Sequence, residues 1–177
     1  MASFSLAHDI VKKWEGGHVH DAMDRGGETF GGISRKSHPT WMGWSLIDSG
    51  SYSLTQLEEL SETLYRREYW GPIQGELIPM QRLANIVYQA AVNCGKVRAS
   101  RWLQLSINLF HDPDLKLDGT VGNHTLYALT ETLSHGHGEE LCEDYLLRQK
   151  AHYHAIVEAD HTQKRFIRGW LNRIKDL

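Results

Sequence analysis

At 177 residues, with 41% hydrophobic and 23% charged side chains, the chain suits one domain or two small lobes on a shared core, and it reads as soluble and globular. A net charge of −3 is too small to argue for a nucleic-acid partner, and no apolar run reaches the length of a membrane span. The two cysteines, Cys94 and Cys142, lie too far apart in sequence to form a disulfide framework and read as free thiols in the core.

The first predicted element is a helix. Phe4, Ala7, Ile10, Val11 and Trp14 recur at helical spacing and form one apolar stripe, with Ser3 or Ser5 as the expected cap and Gly16-Gly17 as the stop. The spacing therefore puts Glu15 in the last helical turn beside Trp14, where the negative end of the helix dipole and partial burial both favour the protonated carboxyl. The stretch from Glu15 to Ile33 then places Gly16, Gly17, Gly26, Gly27, Gly31 and Gly32 among Glu15, Asp21, Asp24, Glu28 and Thr29. Glycine lets a backbone approach a ligand closely, and carboxylates on such a backbone are suited to general acid–base work. The competing readings are a plain acidic surface loop and a calcium loop, though the EF-hand order of ligands is absent.

Residues 34–38 read as a short helix ended by Pro39. Trp41 and Trp44 either stack on a ligand or close a core edge. Thr55 to Glu58 has the capping-box pattern for a short helix, and Ser61 is the expected cap of another over residues 62–70. In that second helix Tyr65 and Tyr69 stand at i and i+4 on one face. They are predicted either to wall a binding groove with Trp70 or to pack as ordinary core. After Gly71, Pro72 and Pro79, the residues Leu83, Ile86, Val87, Ala90 and Ala91 predict an apolar central helix ended by Gly95. Asn93 near its end suits either helix termination or an amide contact to ligand. A further helix is predicted to about Phe110, then turns at 111–114 and at Asp118-Gly119, then helices near 123–133, 139–159 and 163–174. The tail carries Lys164, Arg165, Arg168, Arg173 and Lys175 against Asp176 alone, which reads as a solvated face or a contact for an anionic polymer.

Several of these stretches together resemble one family. Glu15-Gly-Gly, Asp24-x-Gly26-Gly27-x-Thr29 and Gly32-Ile33 are similar to the opening signature of glycoside hydrolase family 108. These are lysozyme-like N-acetylmuramidases of phage endolysins and of bacterial proteins that assist secretion of toxins or enzymes. The order Glu, eight residues, Asp, short gap, Thr also resembles the catalytic triad of phage-type lysozymes, with the gap to Thr29 one residue shorter here. Tyr65–Trp70, Val92–Gly95 and Phe166–Arg173 resemble later blocks of the family, and Asp118–Thr125 resembles the DGxxGxxT turn of peptidoglycan-binding modules.

The resemblance implies a mainly α, lysozyme-like fold, and the scarce strand signals allow at most a small β-ribbon near His18–His20 and Glu28–Phe30. With it, a catalytic region is expected at 1–92 and a helical peptidoglycan-binding region at 93–177 packed on the same core. The implied activity is cleavage of the β-1,4 bond between N-acetylmuramic acid and N-acetylglucosamine, in phage-type lysis or in release of a toxin or secreted protein. Glu15, Asp24 and Thr29 are the implied catalytic residues, with Asp21 the competing second carboxylate. Asp21, Tyr65, Tyr69, Trp70, Asn93 and Asp118 are the implied substrate contacts. No metal or organic cofactor is expected. The expected partner of a monomeric protein is bacterial peptidoglycan, with a holin or other exporter giving access. Asp9, Lys12 and Lys13 interrupt any apolar leader, so synthesis in the cytoplasm and action in the periplasm or wall after release are expected. Two other classes compete. The alternating pairs His18/His20, His135/His137 and His152/His154 suggest a zinc-dependent amidase or endopeptidase, though no HExxH or CxxC is present. A noncatalytic wall-binding adaptor would use the Asp118–Thr125 half and has no need of Glu15.

Overall fold

The computed structural model describes residues 1–14, 28–175 and 177. Glu15, Asp21 and Asp24 lie outside the described residues, as do His18, His20 and the glycine pairs 16–17 and 26–27. Among the described residues the architecture is mainly α: eight α-helices and one two-stranded ribbon. Compactness divides the chain into residues 8–68 and a larger unit of 1–7 with 69–177.

The first helix, α1 (Phe4–Lys12), carries part of the expected stripe, with Phe4, Ala7 and Val11 buried and His8 buried beside them. Ile10 is half-buried, and the helix ends at Lys12, short of the expected Gly16-Gly17 stop, which leaves Trp14 exposed in a turn beyond it. Its start is held by another residue than predicted. Gln81 clasps Ser3, its Oε1 accepting from the Ser3 N–H at 2.6 Å and its Nε2 donating to the Ser3 carbonyl at 3.1 Å.

In the smaller unit, β1 (Thr29–Phe30) pairs antiparallel with β2 (Ile33–Ser34), Thr29 opposite Ser34 and Phe30 opposite Ile33. The two-residue loop between them, Gly31-Gly32, has φ of 50° and 77°. Positive φ at both positions is what a tight hairpin of this twist demands, and glycine adopts it without a Cβ clash. The helix expected at 34–38 is instead the end of β2 followed by turns, because Ser34 is committed to the ribbon. Next come α2 (Met42–Ser49) and α3 (Leu54–Tyr65). The capping box of α3 is Ser53 with Gln56, two residues earlier than predicted from Thr55 and Glu58. Ser61 caps nothing. It is buried inside α3, which runs unbroken into a π-helical turn, Arg66–Trp70.

In the larger unit, α4 (Gln81–Cys94) is the buried central helix, with Leu83, Ile86, Val87, Ala90 and Ala91 all inaccessible. It packs against α5 (Lys96–Ile107) and α7 (Gly138–Ala159). Several buried polar groups are paired: Gln149 Nε2 donates to Gln89 Oε1 at 2.8 Å and to Tyr153 Oη at 2.9 Å, and Tyr145 Oη donates to the Ala99 carbonyl at 3.0 Å, whereas Gln89 Nε2, Gln149 Oε1 and the Trp70 indole N–H are buried without a described partner. Pairing of this kind offsets the desolvation cost at the atoms that are bonded. The remaining helices, α6 (Asn123–Ser134) and α8 (Lys164–Arg173), pack on α5 and α7 respectively. Both cysteines are free, Cys142 buried and Cys94 half-buried.

Candidate active site

Each sequence-predicted site residue within the described chain has a definite environment. Thr29 opens β1 and is half-buried, one residue after Glu28. The ribbon that carries it is fastened from two sides. Tyr65 Oη donates to the Gly31 carbonyl at 2.9 Å, tying α3 to the hairpin turn. On the other side Arg35 Nε donates to Glu28 Oε2 at 2.6 Å, and its Nη1 and Nη2 form a fork onto Asp48 at 3.0 and 2.7 Å. The guanidinium also lies 4.6 Å from the centroid of Trp44. A fork of this geometry fixes a carboxylate in both distance and plane. The two salt-bridge partners hold the Arg35 pKa above its ordinary value, and Arg35 in turn lowers that of Asp48. Nothing in the sequence spacing singled out Arg35.

Trp41 and Trp44 close a core edge. Phe30 stacks on Trp41 at 5.7 Å, and Trp41 meets Trp44 edge-on at 4.9 Å. Their indole N–H groups donate to the carbonyls of Leu60 and His38. Gly43 is required beneath them, since a Cβ there would sit 2.1 Å from the Trp41 ring.

The aromatic block needs correction. Trp70 was expected in a groove wall, but only 1% of its surface is accessible, and its ring is enclosed by Phe4, Tyr88 and Gly75. Tyr65, at 4%, is equally buried and spends its hydroxyl on Gly31, with His8 against its ring at 5.0 Å. Tyr69, in the π turn, is the only member of the three with substantial surface. Asn93 is also engaged by protein. Its Nδ2 donates to the Gln89 carbonyl at 2.9 Å, and its Oδ1 accepts from Arg173 of α8.

Asp118 closes its own turn. Its Oδ1 accepts from Gln104 Nε2 at 2.9 Å and from the Thr120 N–H at 2.8 Å, and these bonds hold its carboxyl below the ordinary range. Gln104, almost fully buried on α5, also accepts from the Gly119 N–H at 3.0 Å and donates to the Thr120 carbonyl at 3.0 Å. The Asp-Gly turn thus wraps around one glutamine amide. A lone glutamine between Leu103 and Leu105 was the available sequence signal for it. Among the described residues no three metal-ligating side chains converge. His152 contacts Trp102 and Arg98, while His137 stacks on Phe110.

Comparison with known proteins covers both halves of the chain. The glycosyl hydrolase 108 model matches residues 8–95, and the predicted peptidoglycan domain model matches residues 98–175. Among solved structures, SagA of Brucella abortus is similar over 98% of this chain and 90% of its own, with 25% identity and a TM-score of 0.66. No curated protein matches the sequence. The helical architecture is therefore the mainly α, lysozyme-like one, and the Glu15–Thr29 motif falls inside the first match. The chain is a family 108 glycoside hydrolase, carrying a predicted peptidoglycan domain behind its hydrolase region.

Proposed function

We propose that Glu15 and Asp24, assisted by Thr29, perform the hydrolysis that this family membership entails. The protein is a peptidoglycan hydrolase, an N-acetylmuramidase that cleaves the β-1,4 bond between N-acetylmuramic acid and N-acetylglucosamine. The observation that carries the residue roles is the position of the Glu15–Asp24–Thr29 motif within the family match, ending on a ribbon clamped by Tyr65 and Arg35. Glycoside hydrolysis needs one carboxyl that holds a proton and one that does not. Glu15 donates the proton to the departing glycosidic oxygen. Asp24 stays ionised and orients a water or stabilises the oxocarbenium-like transition state, with the Thr29 hydroxyl as a second anchor for that water. Asp21 is the alternative second carboxylate. Tyr69 remains a candidate groove contact, whereas Tyr65, Trp70, Asn93 and Asp118 act by holding structure.

Residues 1–92 supply the catalytic part and 93–177 the wall-binding part. The protein acts as a monomer on peptidoglycan outside the cytoplasm, reached through a holin or another exporter, in lysis or in release of a toxin or secreted protein. The test is product analysis. Purified sacculi digested with the protein are to yield muropeptides with reducing N-acetylmuramic acid ends, at a rate unchanged by a chelator. Products with intact glycan and cleaved peptide stems, or a chelator-sensitive rate, would favour the zinc amidase or endopeptidase instead. No soluble product would favour the adaptor.

A further inference from the structure

A cleft with a distinct lining opens at the start of the predicted peptidoglycan domain, and four of its lining residues fall within that match. It lies at the elbow where α4 ends at Cys94 and α5 begins at Lys96, with a volume of about 580 Å³. Arg98, Arg101, Trp102 and Leu105 all line it. They stand at i, i+3, i+4 and i+7, so α5 presents them as one stripe. Val97, half of whose surface is exposed, adds a second apolar wall.

The two arginines lack carboxylate partners among the described residues. Arg98 Nη1 lies 3.2 Å from both the Cys94 carbonyl and His152 Nε2. Burial, and then Arg98 itself, push the His152 pKa below its ordinary value, so the ring is neutral and accepts this bond. The Nε and Nη2 groups of Arg98 have no described partner. The Arg101 stem runs over Gly119, where an added Cβ would stand 3.3 Å from its Cγ, and its guanidinium has no described partner either. A guanidinium is a planar fork matched to a carboxylate, and two in one cleft without acids favour an anion there. The apolar half of the stripe narrows the choice. Val97, Trp102 and Leu105 suit an anion that carries short alkyl groups beside its charge. A polyol-phosphate chain offers the charge without those groups.

We propose that this cleft binds the peptide stems of the wall, taking a stem carboxylate on Arg98 and Arg101 and the neighbouring alanine methyls on Val97, Trp102 and Leu105. The inference rests on the muramidase reading and names a recognition site for it. The cleft selects where on the polymer the hydrolase region works, and Arg98 and Arg101 carry that selectivity.

Binding of a synthetic stem tetrapeptide to the full-length protein, read by calorimetry, tests this directly. Arms with the carboxyl-amidated peptide and with inorganic polyphosphate accompany it. The free-acid peptide is to bind, the amidated one to bind at least about tenfold more weakly, and the Arg98→Ala/Arg101→Ala protein to lose at least about tenfold in affinity for the free acid. The Arg98→Lys/Arg101→Lys protein keeps the charge, and is to fall between wild type and the alanine pair. Unchanged helical circular dichroism and melting temperature show that each variant is folded. Equal binding of free-acid and amidated peptides, an alanine pair that binds like wild type, or polyphosphate that outcompetes the peptide at these arginines would each overturn the proposal. Release of reducing ends from stem-free glycan chains is measured separately on the wild-type protein. Its failure would count against the muramidase reading, whereas failure of the peptide arms alone counts only against the cleft.

Discussion

Tyr65→Phe removes the bond that joins α3 to the β1–β2 ribbon. The ring is buried and stays in place against His8, so the substitution opens no cavity and removes only the hydroxyl that donates to Gly31 at 2.9 Å. One neutral hydrogen bond contributes about 0.5–1.5 kcal/mol net. Gly31 is only half-buried, so water partly replaces the lost donor and the middle of that range, about 1 kcal/mol, is expected. For a chain of this length that corresponds to a melting temperature lower by about 2–4 °C. The hairpin also positions Thr29. If the whole loss falls on that positioning, kcat/KM on sacculi drops by about fivefold and no more. Thermal unfolding and reducing-end release, measured on the same preparation, read both effects. A variant with unchanged stability and a loss of a hundredfold or more would mean that the hydroxyl touches substrate, and the structural role assigned to Tyr65 would be wrong.

Three further outcomes follow from packing and burial. Gly75→Ala places a Cβ 2.4–2.6 Å from Trp70 ring atoms, and overpacking of this kind is expected to destabilise by about 1–3 kcal/mol in urea unfolding; a neutral result would contradict the enclosed position of Trp70. Burial pushes the Cys142 thiol up to about 11, so it is expected to resist a disulfide exchange reagent at pH 8 until the protein unfolds, with half-buried Cys94 reacting first; fast labelling of Cys142 in the native protein would refute this. His8 has its pKa lowered chiefly by burial, so the unfolded chain binds its proton first as pH falls below the ordinary histidine value near 6.5. Stability is therefore lost from that point downward, and His8→Phe is expected to flatten this part of the melting-temperature profile; an unchanged slope in the variant would count against it.

The helices were legible because each is marked by a period or a stop. The apolar run from Leu83 to Ala91 fixes α4 and Gly95 ends it, while Asn123, Gly138 and Lys164 begin helices close to where the pattern places them. Errors arose where a local signal was outbid by a distant partner. Thr55-x-x-Glu58 has the letters of a capping box, but Ser53 and Gln56 make the bonds. Ser61 looks like a cap, yet the apolar face of α3 carries the helix straight past it. Ser3 needed no cap of its own once Gln81, far along the chain, reached its backbone.

The functional motifs show the same division. An aromatic pair at i and i+4 predicts a shared face but not whether that face meets solvent, and Tyr65 and Trp70 face the interior. Asp118 and Asn93 are polar residues in recognisable motifs whose bonds to Gln104 and Arg173 belong to the fold. Arg35 left no sequence trace, because its role depends on bringing Glu28, Trp44 and Asp48 together in space.

The measurement that bears most directly on the account is turnover of Glu15→Gln on purified peptidoglycan. The amide keeps the shape of the side chain and has no proton to give, so loss of general-acid catalysis is expected to slow reducing-end release by about 10² to 10⁴ while the melting temperature stays near that of wild type. Asp24→Asn and Asp21→Asn, assayed alongside, identify the second carboxylate, the inactive one of the two being the partner. A folded Glu15→Gln protein that releases reducing ends at close to the wild-type rate would contradict the central claim.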